Sequence, residues 1–463
     1  MTRRIHVVGI GGSGMSAIAR ILHERGELVT GSDVARSRYA AALERAGVSI
    51  VYAHRPENVG GADLVLASAA IPETNVEIVQ ARKMGIPVRH RDDFWVELTQ
   101  GYETIAVAGS HGKTTTSGLI TWLLERSGAA PTFIVGADLV DLNANARAGT
   151  GPHFVVEADE YGLAFLGLYP NIAVVTNIEH DHPDQFADRA AVQSAFQRFA
   201  DQVQDVLVTC ADDPGATGLE APTRGRISYG LSPQADWRAE EIRPNQAGGS
   251  DFLVVHDGEV LGLARIRLAG RHNVLNALAG VAVVDHLGMS FSEVREALTE
   301  YHGAVRRLEI RGETAGVTVV DDYAHHPTEI RASLEALRSR FPESELWAVF
   351  QPHTFTRTRA FMDQWGPAFE AADHILVTPI FASRETPDAS IDSRQLVDRL
   401  GAGRARYAPS LEQAAAYLLE HVRPGSVVVT LSAGDGNRAG ELLLEGLSRK
   451  GESSHEQESE GSV

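Results

Sequence analysis

The run Ile105 to Gly118, IAVAGSHGKTTTSG, sets Lys113 behind two spaced glycines and ahead of three threonines. Those residue types suit a phosphate. Gly109 and Gly112 let the backbone come close, the loop N–H groups and the helix that follows offer partial positive charge, and Lys113 supplies a full one. Thr114 would hold a hydroxyl beside the metal that accompanies a triphosphate. Val107 stands where the strict G-x-x-x-x-G-K-[ST] pattern wants its first glycine, so the motif is the shorter G-x-x-G-K-T. A tight turn with a solvated lysine would carry the same letters. Two further clusters weigh against that bland alternative: Glu157, Asp159 and Glu160 in HFVVEADEYG, and Glu179, His180, Asp181, His182 and Asp184 in NIAVVTNIEHDHPD. Hard oxygens plus one imidazole beside a phosphate loop suit Mg2+. Zinc is disfavoured, because there is no H-E-x-x-H helix and Cys210 is the single cysteine.

These groups need elements that bring them to one place. Ile105 and Val107 suit a buried parallel strand, and Leu119, Ile120, Leu123 and Leu124 suit one face of the next helix. Each acidic cluster also ends an apolar run, which predicts strands whose C-terminal ends share one sheet edge. A first unit, 1–102, opens with IHVVGIGGSGMSAIARILHERG: a strand, a G-x-G-x-x-G turn at Gly9, Gly11 and Gly14, and a helix burying Ile18, Ile21 and Leu22. Asp33 ends the second strand at the spacing that suits a ribose hydroxyl, and Ser68 lies at the C-terminal end of a later one. The fingerprint reports a diphosphate beside a helix N-terminus, so an NAD(P)-dependent dehydrogenase and a nucleotide-sugar binder satisfy it equally.

The second unit, 103–304, carries the phosphate loop, predicted hairpins over Trp237 to Leu268, and a long helix begun by His272, Asn273 and Asn276. Those amides suit an adenine edge or a plain helix cap. The third unit, 305–450, starts beside Arg306 and Arg307. One of its strands ends in Asp321, Asp322, Tyr323, His325 and His326, and another in His353, Arg357 and Arg359. The pattern predicts an α/β protein of three domains: Rossmann-like, central P-loop ATPase-like α/β, and Rossmann-like again.

At 463 residues the chain is too long for one ordinary core, and its 43% hydrophobic content is usual for a globular protein. No run reaches the apolar length of a membrane span, and MTRRIHVVGIGG leads straight into a strand, so a cytoplasmic location is expected. A formal charge of −19 argues against a nucleic-acid footprint. Segment 451–463, GESSHEQESEGSV, is acidic and without large apolar residues, which predicts disorder.

Taken in order, GIGGSGMSAIA, SHGKTTT, EADE, NIEHDHPD, RHNVLNALA, RRLE, DDYAHHPTE and QPHTFTRT make the chain resemble the muramyl ligases over essentially all of its length except the tail. The resemblance implies ATP-dependent attachment of L-alanine to the lactyl carboxylate of UDP-N-acetylmuramate through an acyl phosphate, in peptidoglycan precursor synthesis. It implies ATP and Mg2+ (with Mn2+ as a substitute) as cofactors, small-molecule partners, no nucleic acid or membrane insertion, and a monomer or weak homodimer. By the same resemblance, Gly11, Gly12, Ser13 and Gly14 would hold the UDP diphosphate, with Asp33 and Ser68 near the nucleotide sugar. ATP would meet Gly109, Ser110, His111, Gly112, Lys113, Thr114, Thr115, His272, Asn273, Asn276, Arg307 and Asp322. The metal would meet Thr114, Glu157 and His182, and the amino acid Tyr323, His325 and Arg357. Lys113, His182 and His325 are the catalytic candidates, with His325 the hypothetical proton acceptor from the amine.

Three departures stand out. Ser110 replaces a usual threonine and keeps the hydroxyl. Tyr161-Gly162 follows EADE, which is similar to the members that attach a ready-made tripeptide in recycling, whereas GIGGSGMS favours the alanine-adding members. Thr354 stands where an arginine is common, removing one candidate partner for the amino-acid carboxylate. A dehydrogenase or a non-catalytic nucleotide sensor would lack ATP-driven product formation.

Overall fold

The structure, a computed structural model, describes residues 2–222, 224–401 and 403–460. Its strands form three sheets. In the first, Arg4–Val8 lies centrally between Leu28–Ser32 and Leu64–Ala67, with Ser49–Val51 and Val88–His90 outside them, all parallel. The order reverses beside Arg4–Val8, which places the Gly9–Gly14 turn at the switch point where open sheets take ligands. Helix Ser13–Glu24 follows it, burying Ile18, Ile21 and Leu22.

The second sheet has ten strands. Glu103–Ala108 runs parallel between Ile172–Val175, which is wholly apolar and buried, and His153–Glu157, which is apolar and buried from Phe154 to Val156. Helix Lys113–Arg126 is buried from Thr114 to Leu124, so its apolar residues need not form a single stripe. It packs on helix Arg271–His286, with Gly280 facing Leu123; a Cβ there would sit 3.5 Å from Leu123, an ordinary contact. Truncating Leu123 to alanine in this contact would cost about 2–5 kcal/mol. The predicted hairpins form antiparallel strands Trp237–Pro244, Ser250–His256 and Glu259–Ile266 on the sheet's edge.

In the third sheet, Val317–Asp322, Val427–Leu431, Leu346–Phe350, His374–Val377 and Ala405–Tyr407 are parallel, with Glu309–Thr314 antiparallel at one edge. Helix Pro327–Arg340 starts with Pro327 at its first turn and a reciprocal cap between His326 and Glu329.

Helix Asn437–Glu460 runs through 451–460, and 461–463 lie outside the described residues. Glutamate, glutamine and lysine are good helix formers, and a helix already nucleated on a packed face propagates cheaply. Among the described residues, no helix is long and apolar enough to cross a membrane.

Candidate functional site

The phosphate loop is fixed from both sides. Gly112 caps the helix with φ 82°, and a side chain there would come 2.8 Å from Asn276 Oδ1; at Gly109, φ 138°, it would strike Thr176. Only glycine fits comfortably in such left-handed, crowded backbone. The Ser110 hydroxyl donates to the Glu179 carbonyl at 3.0 Å and accepts from the Glu179 N–H at 2.9 Å. The His111 N–H donates to Asn177 Oδ1 at 2.9 Å. Ser110 thus clips the loop to the strand end.

Lys113 Nζ donates to the Gly109 carbonyl at 2.6 Å and pairs with Glu160 at 2.9 Å. Burial opposes its charge, but Glu160 and the other nearby carboxylates push it up to about 12. Glu160 is held below its ordinary value against the pull of burial, chiefly by Lys113. Thr114 Oγ1 donates to Glu157 Oε1 at 3.1 Å, and Glu157 also accepts the Gly136 N–H at 2.6 Å. Burial raises the Glu157 carboxyl. The Thr114 hydroxyl and the Glu157 carboxylate are hard oxygen donors that fit Mg2+, and His182 lines the same cavity. His182 has φ 54°, with Nε2 3.6 Å from Glu160. The imidazole lines the same cavity as Lys113.

The third domain closes over this edge. Arg307 Nη2 donates to Thr114 Oγ1 at 3.3 Å, from a linker where Arg306 and Leu308 also carry positive φ, 62° and 50°. His111 donates from Nε2 to Glu179 at 3.0 Å and from Nδ1 to Glu329 at 3.1 Å. Burial disfavours its charge, yet the two carboxylates raise it to about 10, so it is an imidazolium bridging two domains. His111, Glu179 and His326 offer ligand atoms within 4.8 Å of one another. An imidazolium with both nitrogens donating has no lone pair for a metal, so the cluster is a clasp. Thr328 Oγ1 adds a bond to Glu179 at 2.8 Å.

Two cavities meet at the loop. One, about 600 Å³, is lined by Thr115, Tyr229, His272, Asn273, Asn276 and Asp322. The other, about 770 Å³, runs from Gly11 and Ser13 past Lys113, Glu157 and His182 to Tyr323, His325 and Arg357. His111, Gly112 and Arg307 line both. Both cavities therefore open onto the same phosphate loop.

Several sequence candidates have local work of their own. Asp33 Oδ2 accepts the Gly11 N–H at 2.8 Å and Oδ1 the Val34 N–H at 2.7 Å, so it shapes the glycine turn. A Cβ on Gly11 would come 2.9 Å from Asp33, while Gly14 faces Arg91; Gly12 caps the helix and Ser13 begins it. Ser68 packs against Gly9. Asn273 and Asn276 bond each other at 3.1 Å, and Asn276 accepts from Thr116 at 3.1 Å, which ties the long helix to the phosphate-loop helix. His272 is lowered to about 4 by burial and is neutral. Asp322 accepts the Leu308 N–H at 2.8 Å and is raised to about 6 by burial, Arg307 opposing.

His325 donates from Nδ1 to the Tyr323 carbonyl at 2.9 Å, leaving Nε2 as its basic atom. Burial lowers it to about 3. It is neutral at pH 7 but a weak base, far from the operating pH at which general bases work best. Tyr323 lies under two guanidinium groups, with Arg306 at 5.3 Å and Arg307 at 5.1 Å. Arg357 is buried on Asp181, with Nε at 3.0 Å and Nη2 at 2.7 Å from one oxygen.

Glu329, Asn177 and Arg384 escaped sequence reasoning. Glu329 carried one signal, the H-x-x-E capping spacing from His326. Asn177 and Arg384 sit in irregular segments with no periodicity to mark them.

Two glycine loops at strand ends, and a third α/β domain folded over one of them, define a three-domain α/β protein built around a phosphate site. Comparison with known proteins narrows this. Residues 4–103 match the Mur ligase family, catalytic domain; 107–284 the Mur ligase middle domain; and 306–434 the Mur ligase, glutamate ligase domain. The chain belongs to the Mur ligase family. It is 41% identical to UDP-N-acetylmuramate--L-alanine ligase of Roseiflexus castenholzii, over 98% of this chain and 99% of that one. The crystal structure of UDP-N-acetylmuramate-alanine ligase MurC from Thermotoga maritima superposes with TM-score 0.81 at 30% identity, covering 97% and 99%. A murein peptide ligase from Psychrobacter arcticus gives TM-score 0.70 at 25% identity, covering 96% and 98%.

Proposed function

We propose that this protein joins L-alanine to the lactyl carboxylate of UDP-N-acetylmuramate at the expense of ATP, in peptidoglycan precursor synthesis. The observation that carries this is the phosphate loop at the meeting of two cavities, one reaching the adenine-type helix and the other reaching both the glycine turn and the third domain. The division into units 1–102, 103–304 and 305–450 and a cytoplasmic location belong to the same proposal. The partners are small molecules, handled by a monomer or weak homodimer.

A carboxylate is a poor electrophile, so it is first activated. The lactyl carboxylate attacks the γ-phosphorus, ADP leaves, and the alanine amine then displaces phosphate from the acyl phosphate to form the amide. Lys113, already held by Glu160 and the Gly109 carbonyl, balances charge on the transferring phosphoryl group, and the loop N–H groups do the same. Thr114, Glu157 and His182 would hold Mg2+, which when bound offsets phosphate charge. His272, Asn273 and Asn276 flank the adenine side, with Asp322 and Arg307 across from them on the third domain. Arg307 and His111 position the third domain against the loop and exclude water once closed. In the pocket of Tyr323, His325 and Arg357, His325 Nε2 offers a lone pair toward the ammonium proton. Its low basicity limits it to a brief proton acceptor or an orienting acceptor.

The test is purified protein with ATP, Mg2+ and UDP-N-acetylmuramate, offered alanine, glycine, serine or the L-Ala-γ-D-Glu-diaminopimelate tripeptide, with phosphate release and product mass as readouts. Alanine-dependent product supports the reading. Product with tripeptide alone would favour the recycling reaction that Tyr161 hints at, and no ATP consumption would overturn both.

A further inference from the structure

Among the cations lining the larger cavity, most are already committed. Arg357 spends Nε and Nη2 on Asp181 and Nη1 on His353 at 3.0 Å, and is only 3% exposed. Arg306 is held by Asp321, the Gly434 carbonyl and the Ser432 carbonyl, and Lys113 by Glu160. Arg307 reaches Thr114, and Arg38 lies on the far side beside Tyr39 and the glycine turn. Thr354 offers no charge: it is buried, and its hydroxyl accepts the Arg357 N–H at 3.4 Å as a helix cap.

Arg384 differs. It lies between strand His374–Val377 and helix Ser393–Leu400, just after Ser383, whose φ is 53°. Its guanidinium sits 3.8 Å above the Tyr161 ring, and Nη2 donates to Asp184 at 3.2 Å. Its side chain is 47% exposed and lines the cavity with His182, His325, His353 and Arg357. Stacking on Tyr161 fixes the plane of the fork, and an arginine fork matches a carboxylate bidentately. Burial chiefly, with Arg357 and Arg384 adding to it, lowers His353 to about 4; Arg357 is paired with Asp181 and Arg384 with Asp184, and of the two arginines only Arg384 is substantially exposed.

We propose that Arg384 is a specificity-determining residue that binds the α-carboxylate of the incoming amino acid, standing in for the charge that Thr354 lacks. This rests on the ligase reading above. Tyr161 acquires a role on the same basis, as the platform that orients the Arg384 fork across the domain interface.

The test compares wild-type protein with Arg384→Ala, Arg384→Gln and Arg384→Lys, each checked for folding by thermal melt. Kinetics are measured with L-alanine and with L-alaninamide, which lacks the carboxylate. Arg384→Ala is expected to raise the KM for L-alanine by roughly 10- to 100-fold, the worth of a charge-assisted hydrogen bond, with the KM values for ATP and UDP-N-acetylmuramate unchanged. The preference of the wild type for alanine over alaninamide should collapse in Arg384→Ala and Arg384→Gln, and recover in part in Arg384→Lys. Equal losses with both amines, or an unchanged KM for alanine, would overturn the assignment while leaving the ligase intact. A wild-type protein that releases no phosphate with alanine would instead remove the reading beneath it.

Discussion

Replacing Glu329 by glutamine should loosen the closure of the third domain without unfolding any of the three. Glu329 is the third domain's half of the clasp on His111, and His111 belongs to the phosphate loop. The substitution turns an ion-paired hydrogen bond, worth about 1.5–3 kcal/mol, into one from the same imidazolium to a neutral amide, weaker by about 1–2 kcal/mol. The net loss of about 1–2 kcal/mol is roughly a 5- to 30-fold fall in the closed-to-open ratio. Glu179 remains, so His111 should stay above an ordinary histidine but well below its wild-type value of about 10. Because that value is raised by closure, the contribution of His111 to closure is complete below pH ~6.5, the usual histidine value, and is lost as pH rises through about 10. In Glu329→Gln the loss should begin at lower pH. The assays are histidine NMR titration, small-angle scattering with nucleotide and UDP-sugar, and the KM for ATP. The expected results are a lower His111 pKa, a larger radius and a weaker apparent ATP affinity. An unchanged radius and ATP KM, or a wild-type His111 that titrates like a free histidine, would refute the reasoning.

Lys113→Ala should lower turnover by roughly 10²- to 10³-fold, the range for removing a transition-state charge donor. It also strips the partner from buried Glu160, so the melt should show a loss of about 3–5 kcal/mol, and activity must be read where circular dichroism shows the fold intact. Chelating divalent metal should stop phosphate release, and Mg2+ or Mn2+ should restore it; turnover that persists in chelator would contradict the assignment of Thr114, Glu157 and His182. In the first domain, Glu77 is fully buried and accepts from Ser32, His54 and Asn58. His6, 3.7 Å away, together with those bonds holds it at about 2 despite burial. Its stabilisation is complete above ~4.3, the ordinary glutamate value, and fades as pH falls through about 2. Glu77→Gln should therefore cost about 1–3 kcal/mol at pH 7 by calorimetry, and less in acid.

The parallel sheets, the two glycine turns and the acidic strand ends were legible because they are local: continuous apolar runs, glycines at fixed spacing and caps all lie within a few residues of one another. The clasp was not. His111 and Glu329 are 218 residues apart, and Arg357 and Asp181 176, so only domain packing brings them together. Residue type also leaves unsaid that a polar group has a nearby partner: Asp33, with the spacing of a ribose ligand, accepts the Gly11 N–H as well, and Asn276, with the chemistry for adenine, also accepts from Thr116. His325 has the right type for a base, yet burial, which no sequence window reports, lowers its basicity. Arg384 lies in an irregular segment, where its value depends on a tyrosine in another domain.

In the proposed reaction ATP activates the lactyl carboxylate by phosphorylating it. UDP-N-acetylmuramate labelled with ¹⁸O in that carboxylate, turned over with ATP and L-alanine and analysed by mass spectrometry, tests it most directly. Transfer of one labelled oxygen into each released phosphate, with the other retained in the amide, is the expected result; unlabelled phosphate would contradict it.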